Sequence, residues 1–274
     1  MNRATSCSRW LFGQAPEPDS ARPFLLIVPP LGRGPEAATA WLGRIPDIDV
    51  AIVQLPGHGQ RLFEDPIDDI DETSGQLAAM LANKIPDNWA VVGHCTGVYL
   101  AVEMAHRLDA VKRAPVRVFL SSSRVPLDPV GPDPERSEFA AMLTAMSDEE
   151  ALAHITRERL LGSGDIDPVG SGDIDPDIAA AVVRGYRAAI RVGAAYRWTH
   201  PPLRAAVEVW RGRADDVVER RHADDWQEFA GGDFDVVEFA GRREFFGQSA
   251  DAAIARVCRA FGMPAADGGV PAGR

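Results

Sequence analysis

Three apolar segments, separated by stretches long enough for a helix, set the strongest limit on the fold. Residues 24–28, 50–53 and 90–92 are apolar at every position, and each is followed by Pro or Gly within three residues. A strand with one face in water alternates apolar and polar residues, so these segments predict strands that are covered on both faces. The sequence therefore predicts an α/β fold with a mostly parallel, doubly wound sheet.

The alternation of strand and helix continues along the chain. Further strands are predicted at 116–120, 207–210 and 235–239, and apolar residues have helical spacing at 74–83, 98–108 and 250–261. In doubly wound sheets, ligands bind beyond the carboxyl ends of the strands. We therefore expect the functional residues in the turns that follow the strands.

The segment 126–198 interrupts this alternation. Its apolar residues keep helical spacing at 136–146, 148–161 and 176–192, so helices rather than further strands are predicted. The natural place of such an insertion is above the carboxyl edge of the sheet, where it would shape a substrate channel. The predicted organisation is a lead-in at 1–22, a core at 23–125 and 199–262, a helical lid at 126–198 and a disordered tail at 263–274.

Charge and cysteine content exclude several classes of function. There are 29 Lys and Arg against 40 Asp and Glu, a net charge of −11, whereas nucleic-acid-binding proteins present a basic surface. No segment approaches the roughly 20 apolar residues of a membrane span. Three distant cysteines and no signal-peptide pattern favour a cytoplasmic protein without a metal or redox cofactor. Neither nucleic acid nor a membrane is an expected partner.

The turn after the third strand carries the strongest chemical signal. Residues 93–97 read Gly-His-Cys-Thr-Gly, the spacing of the G-x-S-x-G nucleophile elbow with Cys95 in the place of serine. In an elbow the glycines allow close backbone approach, and the middle side chain stands at a helix N-terminus. The helix dipole there stabilises a thiolate, the reactive form of cysteine. The alternative is a buried structural cysteine, since free cysteine is among the most buried residue types.

A nucleophile elbow needs a carboxylate, a base and oxyanion donors. Asp215, in the turn after a predicted strand, is the candidate carboxylate, although turns also favour aspartate for local hydrogen bonds. The oxyanion hole would use the backbone N–H groups of Thr96 and Leu31. No histidine follows the last predicted strand, where the base is expected. His58 and His222 are candidate substitutes for this base.

Taken together, these residues resemble the type II thioesterases of polyketide and non-ribosomal peptide pathways, a family of α/β-hydrolases. The likeness runs from Trp10 to Phe246 and is most specific at 53–61, Val-Gln-Leu-Pro-Gly-His-Gly-Gln-Arg, and at the elbow. The resemblance implies hydrolysis of acyl groups from the phosphopantetheine arm of carrier proteins, by serine, histidine and aspartate under a mobile helical lid. By position, it implies Cys95 as nucleophile, Asp215 as acid, and Glu244 or Arg243 at the histidine position.

The loss of both serine and histidine predicts altered chemistry. An acyl-Cys95 intermediate forms by exchange between two thioesters, whereas attack by water still needs a base. We therefore expect an enzyme that releases, transfers or cyclises carrier-bound acyl chains, with an acyl or peptidyl carrier protein and a small acyl thioester as partners. Glu244 could relay a proton or hold an amine. The alternatives are an inactive accessory protein that binds the carrier or acyl chain, and a non-covalent cyclase or lyase using the same pocket.

Overall fold

A computed structural model describes residues 9–45, 47–126, 134–157, 175–247 and 250–264, with the side chains of 134–136, 157 and 244 excepted. Seven strands form one sheet in the order β1-β3-β2-β4-β5-β6-β7. They are β1 (Leu11–Gly13), β2 (Phe24–Val28), β3 (Asp49–Val53), β4 (Trp89–His94), β5 (Arg117–Ser121), β6 (Ala206–Gly212) and β7 (Phe234–Phe239). All neighbouring pairs are parallel except β1 with β3, which confirms the predicted mostly parallel sheet.

Each predicted strand is present, and one additional strand occurs. The additional strand, β1, pairs antiparallel with β3 at the edge of the sheet. It lies within the segment 1–22, which the sequence assigns to a lead-in. Leu11 is buried there opposite Val53, so part of this lead-in belongs to the core sheet.

Helices cover both faces of the sheet. Along β2, Leu26 and Val28 pack into the apolar core beneath α1 (Ile70–Leu81) and α2 (Gly97–Ala110), whereas Leu25 and Ile27 pack into the core on the other face. Helix α7 (Asp251–Ala260) covers that second face. The short α6 (Arg220–Asp224) follows β6, and 3-10 turns lie at Pro35–Trp41, Gly59–Arg61, Asp225–Phe229 and Glu244–Phe246. Burial on both faces of the sheet explains why residues 24–28, 50–53 and 90–92 are apolar at every position.

The insertion between β5 and β6 contains three described helices, α3 (Pro134–Ala145), α4 (Asp148–Arg157) and α5 (Pro176–Ala195). They share a small apolar core that includes Leu143, Ile155 and Val183. Val192 of α5 joins the main core, so this helix anchors the insertion to the sheet domain. The predicted tail lies outside the described residues from 265 onward. In the part of the chain that the structure describes, none of the helices has the length and apolar character needed to cross a membrane.

Candidate active site

Cys95 occupies the sharp turn between β4 and α2. Its backbone has φ of 53°, in the left-handed region that side-chain-bearing residues rarely adopt. The flanking glycines make room for the turn, because a Cβ on Gly97 would lie 2.1 Å from the Pro29 carbonyl oxygen, and one on Gly93 would lie 2.6 Å from the Val98 Cα. The predicted elbow geometry is therefore present, with the thiol at the start of a helix.

Cys95 opens into a cavity of about 250 Å³ between the carboxyl edge of the sheet and the insertion helices. Phe139 of α3 and Ile190 of α5 form part of its wall, so the insertion covers the thiol as the sequence predicts for this segment. The described lining residues are Cys95, Thr96, Tyr99, Ser122, Ser123, Arg124, Phe139, Ile190, Gly193, Ala194, Val217, Val218 and Arg243.

The carboxylate of Asp215 lies buried behind this cavity and is fully engaged. Its Oδ1 accepts hydrogen bonds from the backbone N–H groups of Val217 and Val218 at 3.0 and 3.1 Å. Its other partner is Arg243, whose Nε lies 3.2 Å from Oδ2 and whose Nη2 lies 3.4 Å from Oδ1. The arginine thus holds the place against Asp215 that a triad histidine would need.

Arg243 also faces Cys95. Although burial works against its charge, the negative charges of Cys95 in its thiolate form and of Asp215 raise the pKa of Arg243. An arginine side chain carries hydrogen-bond donors only and stays protonated in proteins. The group beside the thiol can therefore stabilise negative charge, but it cannot accept a proton as a base.

The other candidates for the missing base lie elsewhere. Glu244 begins the 3-10 turn after Arg243, and its side chain lies outside the described part of the structure. His58 donates from Nδ1 to the Pro56 carbonyl at 3.0 Å, and its ring lies against Gly185 of α5. His222 accepts at Nδ1 from the Glu219 N–H, 3.1 Å away, in the capping box of α6. Of the described residues that line the Cys95 cavity, none is a histidine.

Burial governs the proton affinity of the histidines near this edge of the sheet. It lowers the pKa of His58 to about 4. His94, inside the elbow, is stacked on Phe246 and lies 2.8 Å from Ser121 through Nδ1 and the serine Oγ. Burial and the nearby positive charges of Arg243 and Arg33 lower the pKa of His94 to about 3. Both rings are therefore neutral at pH 7.

The two expected oxyanion donors are adjacent, but one of them is engaged. The Leu31 N–H donates to the Thr96 side-chain oxygen Oγ1 at 3.0 Å. The Thr96 N–H stands at the start of α2, where helix N–H groups have no intrahelical partner. Sequence reasoning placed these backbone groups together and missed the hydroxyl between them. The threonine in the sequence could have indicated this contact, because its hydroxyl oxygen can accept a hydrogen bond from a nearby backbone N–H.

One group of side chains outside the cavity has ligand atoms close enough for a metal ion. Asp71, Glu103 and His200 each place such an atom within 4.8 Å of the others. Arg107 pairs with Asp71, and the Tyr196 hydroxyl donates to Glu103 at 2.9 Å. Both carboxylates thus already have partners within the protein, so the group is explained as a structural network.

Comparison with known families identifies the family to which the chain belongs. The sequence matches the thioesterase domain over residues 23–261. The chain belongs to the thioesterase domain family. Its sheet and flanking helices are those of the α/β-hydrolase fold, and the family and fold are those of hydrolase-type enzymes. The resemblance to type II thioesterases of biosynthetic pathways is confirmed by the family match and by the solved structures that are 25% identical to this chain.

The relatives of this thioesterase-family chain differ in how much of their own length it covers. The chain is 29% identical over 274 residues to the AMB antimetabolite synthetase AmbE of Pseudomonas aeruginosa. The aligned region covers 98% of this chain but only 12% of AmbE. It is 22% identical over 262 residues to the gramicidin S biosynthesis protein GrsT of Aneurinibacillus migulanus, covering 94% of this chain and 96% of GrsT. The type II thioesterase BorB from the borrelidin biosynthetic cluster is 25% identical, with a TM-score of 0.72 over 95% of this chain and 99% of BorB.

Proposed function

We propose that this protein accepts acyl groups held as thioesters on the phosphopantetheine arm of an acyl or peptidyl carrier protein, through an acyl-Cys95 intermediate. Membership of the thioesterase domain family supports the substrate class. Relatives named for biosynthetic pathways, such as GrsT and BorB, support a carrier-bound substrate. Cys95 lines the cavity and has the left-handed backbone of a nucleophile elbow, which supports its role as nucleophile.

The first step exchanges one thioester for another. The Cys95 thiolate attacks the acyl carbonyl, the new C–S bond forms, and the bond from the carbonyl carbon to the pantetheine sulfur breaks. The pantetheine thiolate then takes a proton from solvent. Because reactant and product are both thioesters, the step needs little driving force, and Arg243 balances the charge of the thiolate before attack.

The observation that carries the second step is the contact between Arg243 and Asp215 in the wall that also holds Cys95. Water attack on acyl-Cys95 needs a base, and a guanidinium cannot serve as one. An amine held close to the thioester can attack without such a base, lose a proton to solvent, and release Cys95 as thiolate. Transfer to an amine, within the acyl chain or from a second molecule, is therefore favoured over hydrolysis.

Intact-protein mass spectrometry tests the nucleophile. Wild type incubated with an acyl-pantetheine thioester should gain the mass of the acyl group, keep it in water and lose it on addition of an amine. Cys95→Ala should gain no mass, and Cys95→Ser should gain little, since a hydroxyl needs a base for attack. Turnover retained by Cys95→Ala would favour non-covalent use of the pocket. The absence of both adduct and turnover in wild type would favour an accessory binding protein.

Restoring a histidine tests the role of Arg243. In Arg243→His the imidazole would stand against Asp215 and could activate water. The acyl-Cys95 adduct should then hydrolyse at least about tenfold faster, which is less than the roughly 100- to 10,000-fold that a well-placed general base contributes. Arg242→His is the matched control, because this exposed neighbour pairs with Asp216 instead. Equal adduct lifetimes in wild type and Arg243→His would contradict the proposed reason for slow hydrolysis.

A further inference from the structure

Ser122 carries a polar group that the proposed reaction does not yet use. Its side chain is 2% exposed, it lines the Cys95 cavity, and its Oγ has no hydrogen-bond partner among the described residues. The backbone places it next to the thiol, because the Cys95 N–H donates to the Ser121 carbonyl at 2.8 Å. A buried hydroxyl without a partner is costly, so its persistence calls for an explanation.

The neighbouring serines show that this hydroxyl is exceptional. Ser121 Oγ lies 2.8 Å from His94 Nδ1, and Ser123 Oγ donates to the Arg124 carbonyl at 3.1 Å. Ser122 alone of these three has a left-handed backbone, with φ of 47°. Strained residues of this kind cluster at ligand-binding and active sites. The turn after β5 thus places Ser122 in the cavity wall at a cost in backbone strain.

The cavity wall is positively charged in a protein of net charge −11. Of its described lining residues, Arg124 and Arg243 are cationic, and none is Asp or Glu. Asp215 neutralises Arg243 only from behind the wall. With Cys95 acylated, the described lining residues include two cationic side chains and no anionic one, which favours a negatively charged group on the bound acyl chain.

We infer that Ser122 and Arg243 form a subsite for a carboxylate carried by the acyl chain itself, so that the preferred substrate is a short acyl group with a second acid function. This inference rests on the proposed function, because it concerns the acyl group delivered to Cys95. The hydroxyl and the guanidinium donate, and a carboxylate accepts from both. The volume, about 250 Å³, lies below the usual range for drug-sized ligands of about 300–1,000 Å³ and suits a short chain. The phosphate of pantetheine is at the far end of that arm from the reacting thioester.

Paired probes test the subsite. Succinyl- and glutaryl-pantetheine are compared with their terminal amides, which have the same shape without the charge, by the rate at which each adds its mass to Cys95. We expect the faster-reacting acid to add its mass about tenfold faster than its own amide. Equal rates for acid and amide in wild type would overturn the inference.

Serine variants locate the effect. Ser122→Ala should lower the ratio of acid to amide rates several-fold, and Ser123→Ala, whose hydroxyl already has a backbone partner, should keep the wild-type ratio. If Ser122→Ala does not fold, Ser122→Gly tolerates the left-handed backbone and removes the same hydroxyl. An unchanged ratio in a folded Ser122 variant would contradict its part in the subsite.

Binding without reaction separates the two proposals. Cys95→Ala is titrated by calorimetry with thioether analogues of the same probes, which cannot transfer an acyl group. Tighter binding of the acid than of the amide would support the subsite even if wild type formed no acyl-Cys95 and the proposed function failed. Equal binding, together with equal acylation rates, would overturn the subsite and leave the proposed function standing.

Discussion

At the scale of single residues, the contact between Thr96 and Leu31 bears on the predicted oxyanion hole. The Thr96 hydroxyl accepts the Leu31 N–H at 3.0 Å, so this donor is not free to meet the thioester oxygen. Such a bond contributes about 0.5–1.5 kcal/mol net. Thr96→Val keeps the shape and removes the acceptor, so we expect Cys95 acylation to become roughly two- to tenfold faster, measured by intact mass over time.

Thr96→Ser is the control for this prediction, because it keeps the hydroxyl and should keep the wild-type rate. Slower Cys95 acylation in Thr96→Val than in wild type would contradict this prediction. It would mean that the hydroxyl, polarised by the Leu31 N–H, itself donates to the developing oxyanion.

The sequence predicted the positions of the site residues better than their contacts. Cys95 and Asp215 were placed correctly at strand ends because parallel strands bring their carboxyl ends to one edge. Which residue after β7 meets Asp215 depends on the geometry of the turn, and there the structure selects Arg243. The left-handed backbone of Ser122 had no sequence signal, because serine shows no general preference for that conformation.

At the scale of secondary-structure elements, Arg187 connects the three insertion helices. From α5, its Nε donates to the Leu143 carbonyl of α3 at 2.9 Å, its Nη2 donates to the Met146 carbonyl, and its Nη1 pairs with Asp148 of α4. Arg187→Met should leave these C-terminal carbonyls of α3 without a charged donor, loosening the insertion by about 2–3 kcal/mol. We expect faster limited proteolysis within the insertion, with little change in the unfolding of the sheet core.

Arg184→Met is the matched control, because Arg184 is exposed on the same helix. Equal proteolysis of the two variants would show that Arg187 does not hold the insertion together. If the insertion acts as a lid, Arg187→Met should also slow Cys95 acylation, since Phe139 and Ile190 of the cavity wall belong to these helices.

The sequence predicted the long, periodic elements well and the short or capped ones less well. The predicted helix at 74–83 is α1 in the structure, and α1 begins earlier, at Ile70. Asp69 caps its N-terminus, because the Asp69 side chain accepts a hydrogen bond from the Glu72 N–H. Aspartate is a favoured N-cap residue, so Asp69 was a signal for this earlier start that apolar spacing alone does not contain. Strand β1 has three residues and ends at Gly13, so only its pairing with β3 distinguishes it from a loop.

At the scale of the whole molecule, two buried neutral histidines make stability depend on pH. His58 and His94 have pKa values lowered to about 4 and about 3, mainly by burial, against an ordinary value of 6.5. Above pH 6.5 both are neutral whether the chain is folded or unfolded. Between pH 6.5 and about 4 the unfolded chain binds protons that the folded chain does not, so stability falls as the pH falls.

The loss should be large enough to measure. At about 1.4 kcal/mol per pKa unit, His58 alone accounts for about 3 kcal/mol between pH 6.5 and 4, out of the roughly 5–15 kcal/mol of a typical domain. Urea unfolding at a series of pH values should therefore show a midpoint that drops through this window. His58→Gln cannot gain that proton, so its free energy of unfolding should fall less steeply as the pH is lowered. A His58→Gln slope equal to that of wild type would show that His58 does not become protonated on unfolding, and the acid sensitivity would then have to come from His94 and the paired carboxylates.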